Sequence, residues 1–393
     1  MKVRVTKKAA RKIRQGYPLI QIEDLQQKLT GNLPTDWVIF EDQQQELGRG
    51  YLGKQNKGLG WVLTTQRTAI NEAFFYQRFL QAKTKRQTLF SECETTAFRL
   101  VNGEGDQLGG LTIDWYDQFA VFSWYNDTLR HHQDLIVAAF KAAFPEVRGA
   151  YEKIRYKLDG ASLPESAHLY GEEAPEPLLV KENGIHYATY LNDGLMTGIF
   201  LDQKEVRGKL AAGFATGKRV LNMFSYTGAF SVAAAMGGAI ETTSVDLANR
   251  SRSKTSEQFA VNGINPTTQI IQVMDTFEYF KYATRKEKVY DLIVLDPPSF
   301  ARNKKKVFSV TKNYGELIEQ SLAILAPKGW IIASTNAANL SLEKFEKQIE
   351  QAFQKQQVAF RKVETYRLPA DFAVDAQFEE GNYLKVIFYQ KQT

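Results

Sequence analysis

The sequence predicts an α/β protein: a C-terminal domain built around a nucleotide-type strand–turn–helix–strand unit, preceded by a small β module and a central α+β segment. Three observations predict it. Residues 218–246, KRVLNMFSYTGAFSVAAAMGGAIETTSVD, run from an apolar strand through a small-residue turn and a helix to a second strand ending in Asp246. In that order a turn brings backbone against a ligand and the acid can take sugar hydroxyls. Two further apolar or β-branched runs end in acids, QIIQVM before Asp275 and YDLIVL before Asp296, and acidic strand tips on one sheet edge are where open α/β sheets hold ligands. Upstream of residue 186, short alternating strands dominate instead.

Residues 1–70 read as the β module, with VRV, WVIF and GWVLT as strands and the glycine-rich LGRGYLGKQNKGLG as turn. Residues 68–86 place Ile70, Phe74 and Leu80 at helical spacing and predict a connecting helix. FRLV, LTID and FAVFSW alternate as half-buried strands around a GEGDQLGGL turn, and residues 129–144 predict one amphipathic helix. Acids and prolines in EEAPEPLLVKENG mark a boundary, so residues 158–183 read as a linker or a substrate-facing loop. The expected division is 1–70, 71–185 and 186–393. Within the last part, residues 314–325 have helix periodicity, KGWIIASTN is a strand, and VAFRKVETYRLPADF with NYLKVIFYQ reads as a strand–turn–strand antiparallel end to the sheet.

A chain of 393 residues with 44% hydrophobic content can bury two or three cores. Its net charge of +6 is compatible with a polyanionic partner but modest for the length. The positive charge is clustered. Residues 1–15 carry Lys2, Arg4, Lys7, Lys8, Arg11, Lys12 and Arg14 with no acid, which reads either as a solvated terminus or as part of a binding face. RNKKK at 302–306 directly follows the candidate site. Cys93 is the only cysteine, which excludes a disulfide within one chain, and His131, His132, His168 and His186 show no zinc-ligand spacing, so no metal is expected. A cytoplasmic location fits the cysteine usage, and no apolar run of about 18 residues could cross a membrane.

The turn lacks GxGxxG, and the chain has no GxxxxGK[ST], which argues against a dehydrogenase and a P-loop NTPase. S-adenosyl-L-methionine has no phosphates to neutralise and needs neither device. The candidate contacts for it are Asn222, Phe224, Ser225, Thr227 and Gly228 in the turn, Asp246 for ribose, Leu247 beside adenine, Asp275 with Thr276 at the adenine edge, and Asp296 as the third strand-end acid. Upstream, TGIFLDQKEVR adds Thr197 and Phe200 as candidates, while Asp202 reads as an ordinary helix cap. The second decisive feature is Asp296, Pro297, Pro298, Ser299, Phe300. Two prolines after a strand fix φ and remove donors, so the loop rigidly presents a carboxylate and a ring that could hold and stack a flat heterocycle.

LNMFSYTGAFSVAAAMGGA, SVD, DLIVLDPPSF, TGIFLDQKEVR and GDQLGGLTIDWY together resemble the bacterial three-domain methyltransferases of 23S rRNA. The resemblance spans nearly the whole chain. It implies an N-terminal PUA-like RNA-binding domain, a central α+β domain for substrate recognition and a Rossmann-like class I methyltransferase domain. It also implies S-adenosyl-L-methionine as cofactor, S-adenosyl-L-homocysteine as product, and 23S rRNA or a large-subunit precursor as partner; a homodimer is left open. Cytosine-C5 members carry a cysteine in an SCS-like element where this chain has Ser334, Thr335, Asn336. An alcohol without a base is a far poorer nucleophile than a thiolate. DPPSFARNKK and STN resemble instead the guanine-N7 branch, which implies Asp296, Phe300 and Asn336 at the target base, with residues 304–306 on nearby phosphates. An exocyclic-amine target and a non-catalytic RNA-binding or ribosome-assembly role are the alternatives.

Overall fold

Residues 1–27, 33–157, 162–302 and 307–392 are described by the computed structural model; Lys304, Lys305 and Lys306 therefore lie outside the described residues. The chain divides into two units. One comprises Met1–Val180, Thr189–Thr197 and Ala370–Gly381, the other Lys181–Ala188, Gly198–Pro369 and Asn382–Thr393.

In the first unit, a five-stranded sheet runs in the order Lys2–Arg4, Val38–Asp42, Gln45–Gln55, Gly58–Thr64, Leu19–Ile20. The basic start of the chain is ordered: Lys7–Arg14 is a helix capped by Thr6, with Ala9, Ala10 and Ile13 buried and its Lys and Arg turned outward. The stretch expected as turn is a long hairpin. Gly50 and Gly60 are there because a Cβ would sit 1.8 Å from the Trp61 carbonyl oxygen and 2.3 Å from that of Tyr51, so glycine serves close strand contact. A second sheet has the order Ser166–Gly171, Gly149–Ile154, Phe119–Trp124, Leu111–Tyr116, Ala97–Asn102. The presence of Ser166–Gly171, followed by the strand Leu178–Glu182, corrects the reading of residues 158–183 as linker or loop, although 158–161 lie outside the described residues.

The helix Glu72–Lys85 does more than connect. Its Phe74, Phe75 and Phe79 join Phe140 of the helix Gln133–Ala143 and Tyr51, Trp61 and Trp124 of the two sheets in one continuous core. The single helix expected over 129–144 is broken at His132, whose ring stacks on Trp37 at 4.2 Å and whose Nε2 lies 2.8 Å from the Thr35 carbonyl oxygen. The expected turn between the last two strands of the chain is also longer and better fixed than its sequence suggests. Its residues Ala370–Gly381 belong to the first unit, where the buried Arg86 donates to the Asp371 carbonyl oxygen at 2.6 Å while pairing with Asp106 at 3.0 and 2.7 Å. Arg99 N–H donates to Asp371 Oδ2 at 2.9 Å and Asn102 to the Ala373 carbonyl oxygen at 2.8 Å.

The second unit holds a seven-stranded sheet in the order Ile270–Val273, Glu241–Asp246, Arg219–Met223, Tyr290–Leu295, Leu325–Thr335, Lys385–Lys391, Phe360–Tyr366. The first five strands are parallel and the last two antiparallel. Leu221, Met223, Ile293, Leu295, Ile331 and Ala333 pack with Tyr279, Leu317 and Phe353 of the helices Thr276–Arg285, Val310–Leu322 and Leu342–Lys355. The alternate residues Val220, Leu292, Val294 and Ile332 are buried too, so the sheet is covered on both faces, as parallel strands require. Strand order reverses beside Arg219–Met223, and the carboxyl ends of the strands at such a switch point are where open α/β sheets bind ligands.

Replacing Arg86 by Met should cost about 3–5 kcal/mol, because it leaves a buried carboxylate without its bidentate partner. Denaturant unfolding at neutral pH measures this, and a loss below about 1 kcal/mol would show that Lys85, 2.9 Å from the same carboxylate, suffices to hold it.

Candidate active site

The turn after Arg219–Met223 carries two non-glycine residues at positive φ, Phe224 at 58° and Tyr226 at 53°, before Gly228 at 82°. Such conformations cost of order 1 kcal/mol each and collect where a backbone is shaped for a ligand. Here Asp246 compensates. Its Oδ2 accepts the Tyr226 N–H and its Oδ1 the Ala248 N–H, both at 2.9 Å, so each oxygen retains capacity for a hydroxyl donor. Leu247 beside it is 58% exposed, an apolar surface next to an acid. Asp275 caps the helix Thr276–Arg285 through the N–H groups of Phe277 and Glu278, and Thr276 is buried behind it. Ser225 and Thr227 are buried, the first giving its N–H to the Val245 carbonyl and the second its hydroxyl to that of Gly198 at 2.7 Å.

Three of the expected contacts have neighbours of their own in the structure. The Asn222 side chain is buried and donates to Ser231 Oγ at 3.0 Å, which makes it part of the support beneath the turn. Gly228 has Thr255 Cγ2 2.5 Å from the position a Cβ would occupy, so it serves helix packing as well as its left-handed backbone. Thr197 falls in the first unit, where its Oγ1 lies 2.8 Å from Tyr116 Oη. Phe200 is in the second unit, exposed, with its ring 5.3 Å from that of Tyr226; its carbonyl is held by Arg207, itself paired with the buried Glu182 at 2.6 and 2.7 Å.

At the neighbouring strand ends, Asp296 follows Leu295 and Ser334 follows Ala333, its partner in register. Tyr314 Oη donates to the carbonyls of both Leu295 and Ser334, at 3.1 and 3.0 Å, and so ties the two strand ends together. Outside them, Ser299 donates to Asn336 Oδ1 at 2.7 Å, which joins the DPPSF loop to the STN loop. Phe300 is 62% exposed at the start of a short ribbon, Phe300–Arg302 with Val307–Ser309. Thus Asp296, Phe300 and Asn336 share one edge. Thr335 is fully buried, and its Oγ1 accepts the Ala337 N–H at 3.2 Å.

Burial pushes the Asp296 carboxyl up to about 6, with Asp202 adding in the same direction, while hydrogen bonds from Ser334 and Gln203 pull it back. Gln203 also donates to Ser334 Oγ at 3.1 Å. Gln203, Ser334 and Tyr314 are thus supporting residues that the sequence reading missed. Gln203 stood beside Asp202, whose Oδ2 accepts from Tyr383 Oη at 2.9 Å. Because the folded-state pKa of Asp296 lies above its ordinary 3.8, ionisation disfavours folding, and stability is lost as pH rises through about 6. Asp296→Asn should therefore stabilise the fold by about 1–3 kcal/mol at pH 8 and by almost nothing at pH 4, while lowering activity; paired denaturant titrations at the two pH values check it.

Residues 106–379 match the family model for S-adenosylmethionine-dependent methyltransferases, and residues 3–65 match that of a PUA-like domain. YwbD of Bacillus subtilis (strain 168), named as a candidate ribosomal RNA large subunit methyltransferase, is 46% identical over 396 residues covering 100% of both chains. A Deinococcus radiodurans protein named ribosomal RNA large subunit methyltransferase is 30% identical over 400 residues, covering 99% of this chain and 97% of its own. Among solved structures, SMU.776, a candidate methyltransferase complexed with SAH, matches with a TM-score of 0.92 at 49% identity over 99% of this chain and 100% of that one. With these matches behind the acid-tipped strand ends, the chain belongs to the S-adenosylmethionine-dependent methyltransferases, in the group that carries an N-terminal PUA-like domain, and its cofactor is S-adenosyl-L-methionine.

Proposed function

We propose that the enzyme methylates large-subunit ribosomal RNA at N7 of a guanine. The names of its relatives support the RNA class. The observation that carries the choice of atom is Thr335. Attack on cytosine C6, needed to activate C5, requires a nucleophile at the base, and the hydroxyl at this position is buried and committed to the Ala337 N–H. Guanine N7 already offers an in-plane lone pair, so alignment with the methyl donor suffices.

S-adenosylmethionine supplies an electrophilic methyl group, and the residues of this chain hold the acceptor. Asp296 orients the base edge and faces the positive charge that N7 methylation places on the ring; Phe300 stacks on it and Asn336 adds a hydrogen bond. Asp246, Leu247, Asp275 and the 224–228 turn hold the cofactor. In this reading residues 1–70 bind RNA, 71–185 recognise the substrate, 186–393 catalyse, and the partner is a cytoplasmic 23S rRNA or its precursor particle.

Nucleoside mass spectrometry of 23S rRNA from cells with and without the gene tests the assignment. One 7-methylguanosine should disappear on deletion and return with the wild-type protein but not with Asp296→Ala. Thr335→Ser, which keeps the hydroxyl, should restore it as well. Loss of a 5-methylcytidine would refute the choice of atom, and no change in any methylated base would favour a non-catalytic RNA-binding role.

A further inference from the structure

Lys385 is an amine buried beside the proposed active site, with 3% of its surface exposed. It opens the strand Lys385–Lys391, directly opposite Thr335 in the antiparallel ladder. Its Nζ donates to the Ala337 carbonyl at 3.0 Å and to the Tyr383 carbonyl at 2.7 Å. Burial, with Arg367 adding to it, brings its pKa down to about 8, so at neutral pH it is still mostly an ammonium making two charge-assisted bonds.

The position of those bonds is informative. Asn336 lies between two anchored residues. On one side Thr335 Oγ1 accepts the Ala337 N–H, and on the other the Ala337 carbonyl takes both Lys385 Nζ and the Leu340 N–H, the latter at 3.2 Å. Ala337 is thereby fixed through both its backbone groups, and the exposed Asn336 is presented to Ser299 of the DPPSF loop. The second carbonyl that Lys385 holds belongs to Tyr383, whose phenol donates to Asp202, next to Gln203. One ammonium therefore ties the loop that carries Asn336 to the segment that faces the TGIFLDQ turn. Hydrophobic packing of this strand would not require a lysine: Val386, Ile387, Phe388 and Tyr389, which follow it, are all fully buried.

We infer that Lys385 is a positioning residue for methyl transfer, acting through the Ala337 carbonyl to hold Asn336 at the target base. The inference rests on the reading of Asn336 as a substrate contact. A double-mutant cycle on the full-length enzyme with a 23S rRNA fragment and S-adenosylmethionine tests it. Displacing a positioned group by about 1 Å costs on the order of a hundredfold in rate, so Lys385→Met should lower kcat by about tenfold to a hundredfold with an unchanged KM for the cofactor. In an Asn336→Ala background the same substitution should do almost nothing further. Lys385→Arg, which keeps a cation near the same carbonyls, should recover part of kcat. Thermal melts on every variant establish that it is folded. Equal losses of kcat in both backgrounds, or a loss that follows Tm and raises the KM for the cofactor as well, would overturn the inference and leave Lys385 as a stabilising residue. If Asn336→Ala alone kept full kcat, the role of Asn336 and the inference would fall together, whereas the methyltransferase assignment would stand on inactivation by Asp296→Ala.

Discussion

The common register of the parallel strands is the constraint on which the catalytic unit depends. Met223 stands opposite both Val245 and Leu295, and Leu295 opposite Ala333. The residues that follow, Phe224, Asp246, Asp296 and Ser334, then stand in one row across the strands. A slip of one residue in any strand would turn its tip to the opposite face. Backbone pairing is reinforced there by a side chain: the single Tyr314 hydroxyl lies within hydrogen-bond distance of both the Leu295 and the Ser334 carbonyls. Its ring packs edge-on against Phe345 at 4.7 Å, so the helix layer and the strand ends are fixed by the same side chain.

Three buried charged groups each close a segment that the sequence leaves open. Arg207 with Glu182 holds the Phe200 carbonyl. Arg86 with Asp106 holds the residues between the last two strands. Lys385 holds the Asn336 loop. Each ion would be expensive alone, and each is offset by several well-aligned acceptors. Asp296 is the exception, since its carboxylate stays partly unfavourable in the folded state. An acid kept at the edge of ionisation in a recess is typical of a group retained for chemistry at the expense of stability.

Much of the cofactor half was legible from local pattern. The strand–turn–helix unit, the three acids at strand ends and the double proline after Asp296 are short-range features whose meaning survives without tertiary information, because period and turn chemistry are local. Where the sequence misled, a long-range contact was responsible. The glycine-rich stretch at 47–60 looks like turn until Gly50 and Gly60 are seen against the Trp61 and Tyr51 carbonyls. One continuous periodic run at 129–144 becomes two helices because Trp37 and Thr35 claim His132. Asp202 accepts a hydrogen bond from a tyrosine 181 residues away, a contact that its place beside a helix start does not announce.

The sequence by itself therefore determined the α/β class, the strand–turn–helix unit and the absence of a cysteine at position 335, all of which rest on residue identity and near-neighbour spacing. Only the tertiary structure decided which side chains stand together. It buried Asn222 and Thr335, brought Ser299 to Asn336, set Gln203 and Ser334 against Asp296, and revealed Tyr314 and Lys385 as the groups that hold the strand ends. Hydrogen bonds between residues tens to hundreds of positions apart leave no local periodicity, so their partners become visible only when the chain is folded.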